Sequence, residues 1–168
     1  MVVALLAVVV GVLVGYATGG RLRHLSGHRM EMWPLLVIGV VLQAFAPNGV
    51  VLVAALLCLL AWCLANVHLV GMAVVAVGLA LNALVIVVNG AMPVRPEALV
   101  RADVGVELDG PRRLEAPGDR LTFLGDALPV RPLHMAVSFG DLIVAVGAAD
   151  AVVHLMRRRR ARLPAAAR

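Results

Sequence analysis

Two aspartates in apolar surroundings are the residues of this chain best suited to chemistry. Asp126 lies in the segment F-L-G-D-A-L-P, and Asp141 lies in S-F-G-D-L-I, about two turns inside the last apolar run. Ionisable groups within membrane segments are rare and are functional candidates by default. If the two carboxyl groups met, they would share one proton, as the pair in an aspartic hydrolase does. Asp126 and Asp141 are therefore the predicted catalytic pair.

Asn89 and Arg131 are the predicted binding or orienting residues around this pair. Asn89 ends a long apolar run and precedes a glycine and a proline, so its amide could cap a helix or orient the following loop. In a non-catalytic alternative, Asp126 caps a turn, and Asp141 accepts a hydrogen bond from a helix end or from Arg131. Sequence spacing alone favours this alternative.

Neither a metal site nor a cofactor is predicted. His24 and His28 are four residues apart, but no third ligand lies nearby and the flanking arginines would repel a cation. Cys58 and Cys63 lie within one apolar run. Five residues apart on a helix they point in different directions, so no disulfide is expected between them.

The composition indicates a membrane protein. Of 168 residues, 62% are hydrophobic, and the mean hydropathy is +0.97. A soluble domain uses about 45–50% apolar residues, and a chain this short lacks the polar surface to cover a larger core. The excess apolar residues are therefore expected to face a lipid bilayer. Aromatic residues are few, which argues against a nucleic-acid partner.

Five apolar runs predict an all-α bundle of five transmembrane helices in one integral membrane domain. Gly11, Gly15 and Gly19 are spaced four apart, which fits two alternatives equally: a close helix–helix contact in the first run, or the mere tolerance of glycine in membrane helices. Asp150 and His154 in the last run predict a local charge-neutralising pair. The predicted spans lie near residues 1–18, 32–46, 50–65, 69–88 and 135–156.

The segment 89–134 is predicted to be an external loop of mixed short structure. Its arginines and acids are interleaved, so no patch of a single charge forms. It is too short and turn-rich for a core of its own, so we expect it to lie against the bundle. Pro96 followed by Glu97 predicts a helix start within it.

Arginine clusters set the predicted orientation. The chain has a formal net charge of +5, and all of its basic residues other than histidine are arginines. The positive-inside rule places the loop with Arg21, Arg23 and Arg29 in the cytoplasm, together with the C-terminus, and the N-terminus outside. The tail, residues 157–168, is expected to be disordered and to contact anionic lipid headgroups. Its arginines are Arg157, Arg158, Arg159, Arg160, Arg162 and Arg168.

Three motifs resemble an uncharacterised bacterial family of small membrane proteins, a domain of unknown function. They are N-G-A-M-P-V, L-G-D-A-L-P and S-F-G-D-L-I-V-A-V-G, in a chain with five predicted spans. The resemblance covers nearly the whole chain. It implies a multi-pass protein of the bacterial cytoplasmic membrane, and it implies no activity.

The start of the last predicted helix also resembles, locally, the last helix of lipoprotein signal peptidases. Those intramembrane aspartic proteases take one catalytic aspartate from this helix and the other from an external segment shortly before it. The resemblance implies that Asp126 and Asp141 form such a dyad. This sequence departs from the pattern at Gly140, where an alanine is expected, and it lacks an Asn-x-x-Asp-Arg segment.

Three functions follow from these patterns. The leading prediction is a structural, partner-binding or lipid-binding role at the external membrane face, which allows a membrane-protein partner. The alternative is an intramembrane aspartic hydrolase using Asp126 and Asp141. A small transporter or proton pathway is the third, and it would need a polar path joining Asp141 to Asp150, Asn82 or Gln43.

Overall fold

A computed structural model describes residues 2–27, 30–104, 108 and 110–157. The tail beyond Arg157, with its predicted disorder and headgroup contact, lies outside the described residues, as do His28 and Arg29. Elsewhere the chain is mostly helical, with six helices and four short strands in the described part. The helices are α1 (Val2–Ala17), α2 (Trp33–Ala44), α3 (Gly49–Ala65), α4 (Met72–Asn89), α5 (Pro96–Ala102) and α6 (Phe139–Met156). The strands are β1 (Met92–Val94), β2 (Arg112–Leu114), β3 (Leu128–Val130) and β4 (Met135–Val137).

Two helices, α4 and α6, are long and apolar enough to cross a membrane, judged by length and composition. Each has 18 residues. The apolar helices α1, α2 and α3 are shorter, with 16, 12 and 17 residues. The described residues therefore contain two candidate membrane-spanning helices, which is a coarser result than the five predicted spans.

The helices pack in an order that differs from their order in the chain. The last helix, α6, lies between α1 and α4, while α3 contacts both α4 and α2. Gly11 and Gly15 confirm the close-contact alternative, because a Cβ on Gly11 would lie 2.8 Å from the carbonyl oxygen of Ala149 on α6. A Cβ on Gly15 would lie 2.5 Å from Met156 Sδ. Gly19 takes no part in this contact, since a Cβ there would meet nothing within 4 Å.

Residues 90–138, called the cap below, hold α5 and all four strands. β1 pairs in parallel with β2, and β3 pairs antiparallel with β4. The expectation that this segment has no core of its own is wrong. Pairing of strands from distant parts of the cap brings together a small buried apolar cluster: Val94, Ala98, Leu99 and Ala136. Contacts between β1 and α4 fix the cap to the helices, and α5 begins at Pro96 as predicted.

The helix α6 begins at Phe139, four residues after the predicted start of the last span. The preceding residues form β4 because they pair with β3. Ser138 caps the helix, and its Oγ accepts a hydrogen bond from the Asp141 N–H at 3.0 Å. Asp141 therefore lies in the first turn of α6 and not two turns inside it.

Candidate functional site

The backbone of Asp126 is hydrogen-bonded to β1 and holds the side chain in the interior of the cap. The Asp126 N–H donates to the Pro93 carbonyl at 3.0 Å, and the Asp126 carbonyl accepts from the Arg95 N–H at 3.1 Å. Asp126 thus extends the β1–β2 sheet by one bridge to Val94. β1 therefore lies between β2 on one side and the Asp126 backbone on the other. The Asp126 side chain is only 1% exposed.

This carboxylate lacks the hydrogen bonds that a buried charge requires. Arg112 Nε lies 3.1 Å from Asp126 Oδ2, but neither carboxylate oxygen accepts a hydrogen bond from any described residue. Burying a carboxylate without such partners costs several kcal/mol. Burial is the main cause that raises the pKa of Asp126 to about 7; the Arg112 charge opposes this rise and the Asp141 charge adds to it. Asp126 therefore exchanges its proton near neutral pH.

Asp126 lies in the wall of a cavity of about 170 Å³. The polar lining residues are Asp126, Arg112 and His134. Arg112 is half-buried and His134 is exposed, so they mark where the cavity reaches the surface. An apolar protein cavity of about 150 Å³ can hold benzene, so this volume suits one small molecule. The remaining lining residues are apolar: Val94, Leu99, Val104, Leu108, Met135 and Ala136.

Asp141 is instead part of a polar network between α4 and α6. Its Oδ1 accepts from Asn82 Nδ2 at 2.9 Å, and its Oδ2 lies 3.4 Å from the Ser138 N–H. The Ser138 hydroxyl donates to Asn82 Oδ1 at 2.9 Å. Both oxygens of Asp141 have partners, and Asp141 does not line the cavity that holds Asp126.

Asn89 and Arg131 make contacts away from the cavity. The Asn89 side chain donates to the carbonyls of Val85 and Arg120 and accepts from the Arg120 N–H, each at 2.9 Å. It thereby ties the end of α4 to the cap. Arg131 Nε donates to the Arg101 carbonyl at 2.9 Å and not to Asp141. In the described part of the chain, neither side chain hydrogen-bonds Asp126 or Asp141.

Two further ion pairs join residues that are close in the chain. Arg113 contacts both carboxylate oxygens of Asp119, and this contact lowers the pKa of Asp119. His154 Nδ1 lies 3.0 Å from Asp150 Oδ1, which is the predicted local pair.

A second cavity, of about 380 Å³, lies beside α5. Its lining residues are Arg95, Glu97, Ala98, Arg101, Ala127 and Pro129.

Sequence reasoning missed Arg112 and Ser138. Arg112 follows a turn within a run of mixed charges, and nothing in its spacing distinguishes it from Arg113, so only the pairing of β1 with β2 assigns it to Asp126. Ser138 carried a readable signal, since a serine three residues before an acid is the pattern of a capping box.

No group of three or more His, Cys, Asp or Glu side chains that could hold a metal ion occurs among the described residues. Cys63 is buried, Cys58 is half-buried, and both are free thiols.

Comparisons with known proteins give one relationship. No curated protein and no solved structure matched the chain. A family model described as "Family of unknown function (DUF5317)" matches residues 32–153. This match confirms the resemblance to an uncharacterised family that the sequence motifs suggested. The chain is a member of the DUF5317 family.

Proposed function

We propose that this protein is a multi-pass protein of the bacterial cytoplasmic membrane, with α1, α2, α3, α4 and α6 as its five spans. Each of these helices leaves large aliphatic side chains exposed, which favours a lipid environment. Examples are Leu13 on α1, Val37 on α2, Leu57 on α3, Val87 on α4 and Val146 on α6. In this proposal these surfaces contact the lipid bilayer. A membrane-protein partner could bind to part of them.

The contacts at the two ends of the helices support the proposed orientation. The N–H of Arg21 donates to the carbonyl of Met156 at 2.9 Å, so the two arginine-bearing segments begin at one end. The cap lies at the opposite end, where a Cβ on Gly110 would lie 2.9 Å from the carbonyl oxygen of Ala46. With the arginines cytoplasmic, where anionic headgroups can bind them, the cap and the N-terminus are external.

The cap itself is proposed to bind a small, mainly apolar ligand that carries one polar group. The observation that carries this proposal concerns Asp126. This residue lines a mainly apolar cavity, and among the described residues nothing hydrogen-bonds its buried carboxylate. Binding pockets combine apolar walls with a few polar groups that fix the ligand's orientation. A ligand that donates to Asp126 would supply the missing hydrogen bond.

Binding fits the geometry better than hydrolysis by an aspartate pair. A shared-proton dyad needs both carboxyl groups at one water molecule. The two oxygens of Asp141 are instead engaged by Asn82 and by the Ser138 N–H. A binding role therefore uses Asp126 alone and leaves Asp141 to join α4 and α6.

Filling the cavity tests this proposal. The full-length protein in phosphatidylcholine nanodiscs would be titrated with 3-methyl-1-butanol, an alcohol about the size of benzene, and empty nanodiscs would correct for partition into lipid. We expect Ala136→Val and Ala136→Leu to weaken binding stepwise, because Ala136 lines the cavity. Ala127→Val is the matched control, since Ala127 lines only the other cavity. Binding that is absent, or that is equal in all four proteins, would contradict the proposal.

A further inference from the structure

We infer that the cavity ligand is a small primary amine, bound as the ammonium ion with its nitrogen on Asp126 and its hydrocarbon body between the apolar walls. This inference rests on the proposed ligand-binding function and assigns the class of ligand.

The two carboxylate oxygens of Asp126 can accept several hydrogen bonds from one ligand group. Both of its oxygens are buried and neither accepts a hydrogen bond among the described residues. Arg112 Nε lies 3.1 Å from Oδ2, without the alignment of a hydrogen bond. An ammonium group carries three donors on one atom, and charge-assisted bonds to a carboxylate are about twice as strong as neutral ones. An alcohol would offer a single neutral donor.

The charges around Asp126 also favour a cation. Arg112 on β2 and the N-terminal amino group favour the charged form of Asp126, whereas Asp141 on α6 disfavours it. Among the described lining residues, His134, before β4, is the remaining titratable one. Within the lining, the Asp126 carboxylate is buried, whereas the Arg112 side chain is 37% exposed. A carboxylate ligand would meet Asp126 as a like charge, whereas an ammonium ion would meet it as an opposite charge.

The walls limit the body of the amine. Six apolar residues line a space of about 170 Å³, which is close to the volume that holds benzene in another protein. A branched or cyclic hydrocarbon of about five or six carbons fits this space. The side chain of Arg112 is 37% exposed, so it can move towards solvent when the ammonium takes its place.

Proton linkage gives the site a characteristic pH dependence. Burial raises the pKa of Asp126 to about 7, whereas an alkylammonium keeps its proton to about pH 10. Ammonium binding requires the ionised carboxylate, so affinity for the amine should rise between about pH 6 and pH 8. Affinity for an uncharged ligand should change less.

A matched set of three ligands tests the inference by titration calorimetry on the full-length protein in phosphatidylcholine nanodiscs at about pH 8. The ligands are 3-methylbutylamine, 3-methyl-1-butanol and 3-methylbutanoate, which share one branched hydrocarbon body. We expect the amine to bind about tenfold more tightly than the alcohol, with the carboxylate weakest. Asp126→Asn should remove the preference for the amine and change alcohol binding by less than about threefold. Ala127→Val should leave the order unchanged.

The possible outcomes separate this inference from the proposed function. Tightest binding of the carboxylate, or equal binding of amine and alcohol, would overturn the amine assignment. The cavity would still be a binding site if Ala136→Leu weakened that binding. Binding that no variant alters, or no binding of any of the three ligands, would overturn the proposed function as well. Preference for the amine that persists in Asp126→Asn would also contradict the inference.

Discussion

At the scale of single residues, Asp126 combines full burial with incomplete pairing. The nearest cation, Arg112, is itself partly exposed, so the carboxylate loses its hydration without gaining an equivalent set of hydrogen bonds. Native proteins rarely keep a polar group in this state unless it has a function. The same environment makes the proton of Asp126 part of the folded state near neutral pH.

The pH dependence of stability tests this environment directly. The folded-state pKa of Asp126 is raised from 3.8 to about 7, so the folded protein holds a proton that the unfolded chain has lost. The stability that this proton contributes is complete below about pH 4 and is lost as the pH rises through 7. Relative to Asp126→Asn, the wild type should therefore lose about 3 kcal/mol of unfolding free energy between pH 4 and 7, and little more above 7.

Denaturant-induced unfolding at a series of pH values measures this difference. Asp119→Asn is the control, because its difference from the wild type should change with pH in the opposite direction. The hydrogen bond from Arg113 lowers the pKa of Asp119, and the Ala116 N–H adds to the effect. The stability contributed by this carboxylate is present at neutral pH and is lost as the pH falls. The wild type should thus lose stability relative to Asp119→Asn on acidification. A flat difference curve for Asp126→Asn would show that its carboxylate is solvated.

At the scale of elements, the contact between α4 and α6 depends on a glycine opposite an amide. A Cβ on Gly140 would overlap the Asn82 side-chain oxygen, and a Cβ on Gly78 would lie 2.6 Å from the Gly140 carbonyl oxygen. Close approach of the two helices allows Asn82 to bond both Ser138 and Asp141. The two residues that cap the start of α6 are therefore also the residues that bond this helix to α4.

Gly140→Ala tests this contact. The added methyl group would displace Asn82 and break its hydrogen bonds, so we expect a loss of about 2–3 kcal/mol in unfolding free energy. Val146→Ala on the same helix is the control, because Val146 is 67% exposed and its truncation should cost less than about 1 kcal/mol. Denaturant-induced unfolding in detergent micelles measures both. Equal stability of the two variants would show that α4 and α6 do not pack through Gly140.

At the scale of the whole molecule, the helices carry a cap at one end and arginine-bearing segments at the other. The proposed orientation is testable by cysteine labelling after Cys58 and Cys63 are replaced by alanine. Ala116→Cys in the cap should react with a membrane-impermeant maleimide in intact cells, and Arg21→Cys should react only after permeabilisation. Both positions are exposed, so burial does not limit labelling. Reversed labelling would place the cap in the cytoplasm.

Local sequence predicted the helices of this molecule better than it predicted the cap. Long Val, Leu and Ala runs specify α1 to α4 with small errors at their ends, because an apolar helix needs no distant partner to define it. The apolar character of Met135–Val137 places it in the last span, since the strand pairing with Leu128–Val130 that separates it from α6 is a tertiary contact that local sequence does not contain. The same limit applies to the site. Asp126 was identifiable as a carboxylate in an apolar segment, but its pairing with Arg112 depends on strand register.

The buried carboxyl group of Asp126 is the basis of the proposed binding site. Titration of its carboxyl carbon by NMR tests this most directly. The full-length protein would carry ¹³C-labelled aspartate, and Asp126→Asn would assign the resonance. We expect an apparent pKa of about 7, raised mainly by the burial of this group. We expect added 3-methylbutylamine to lower this pKa, because the ammonium ion stabilises the carboxylate. Titration near the ordinary aspartate value of about 3.9, unaffected by the amine, would contradict the account.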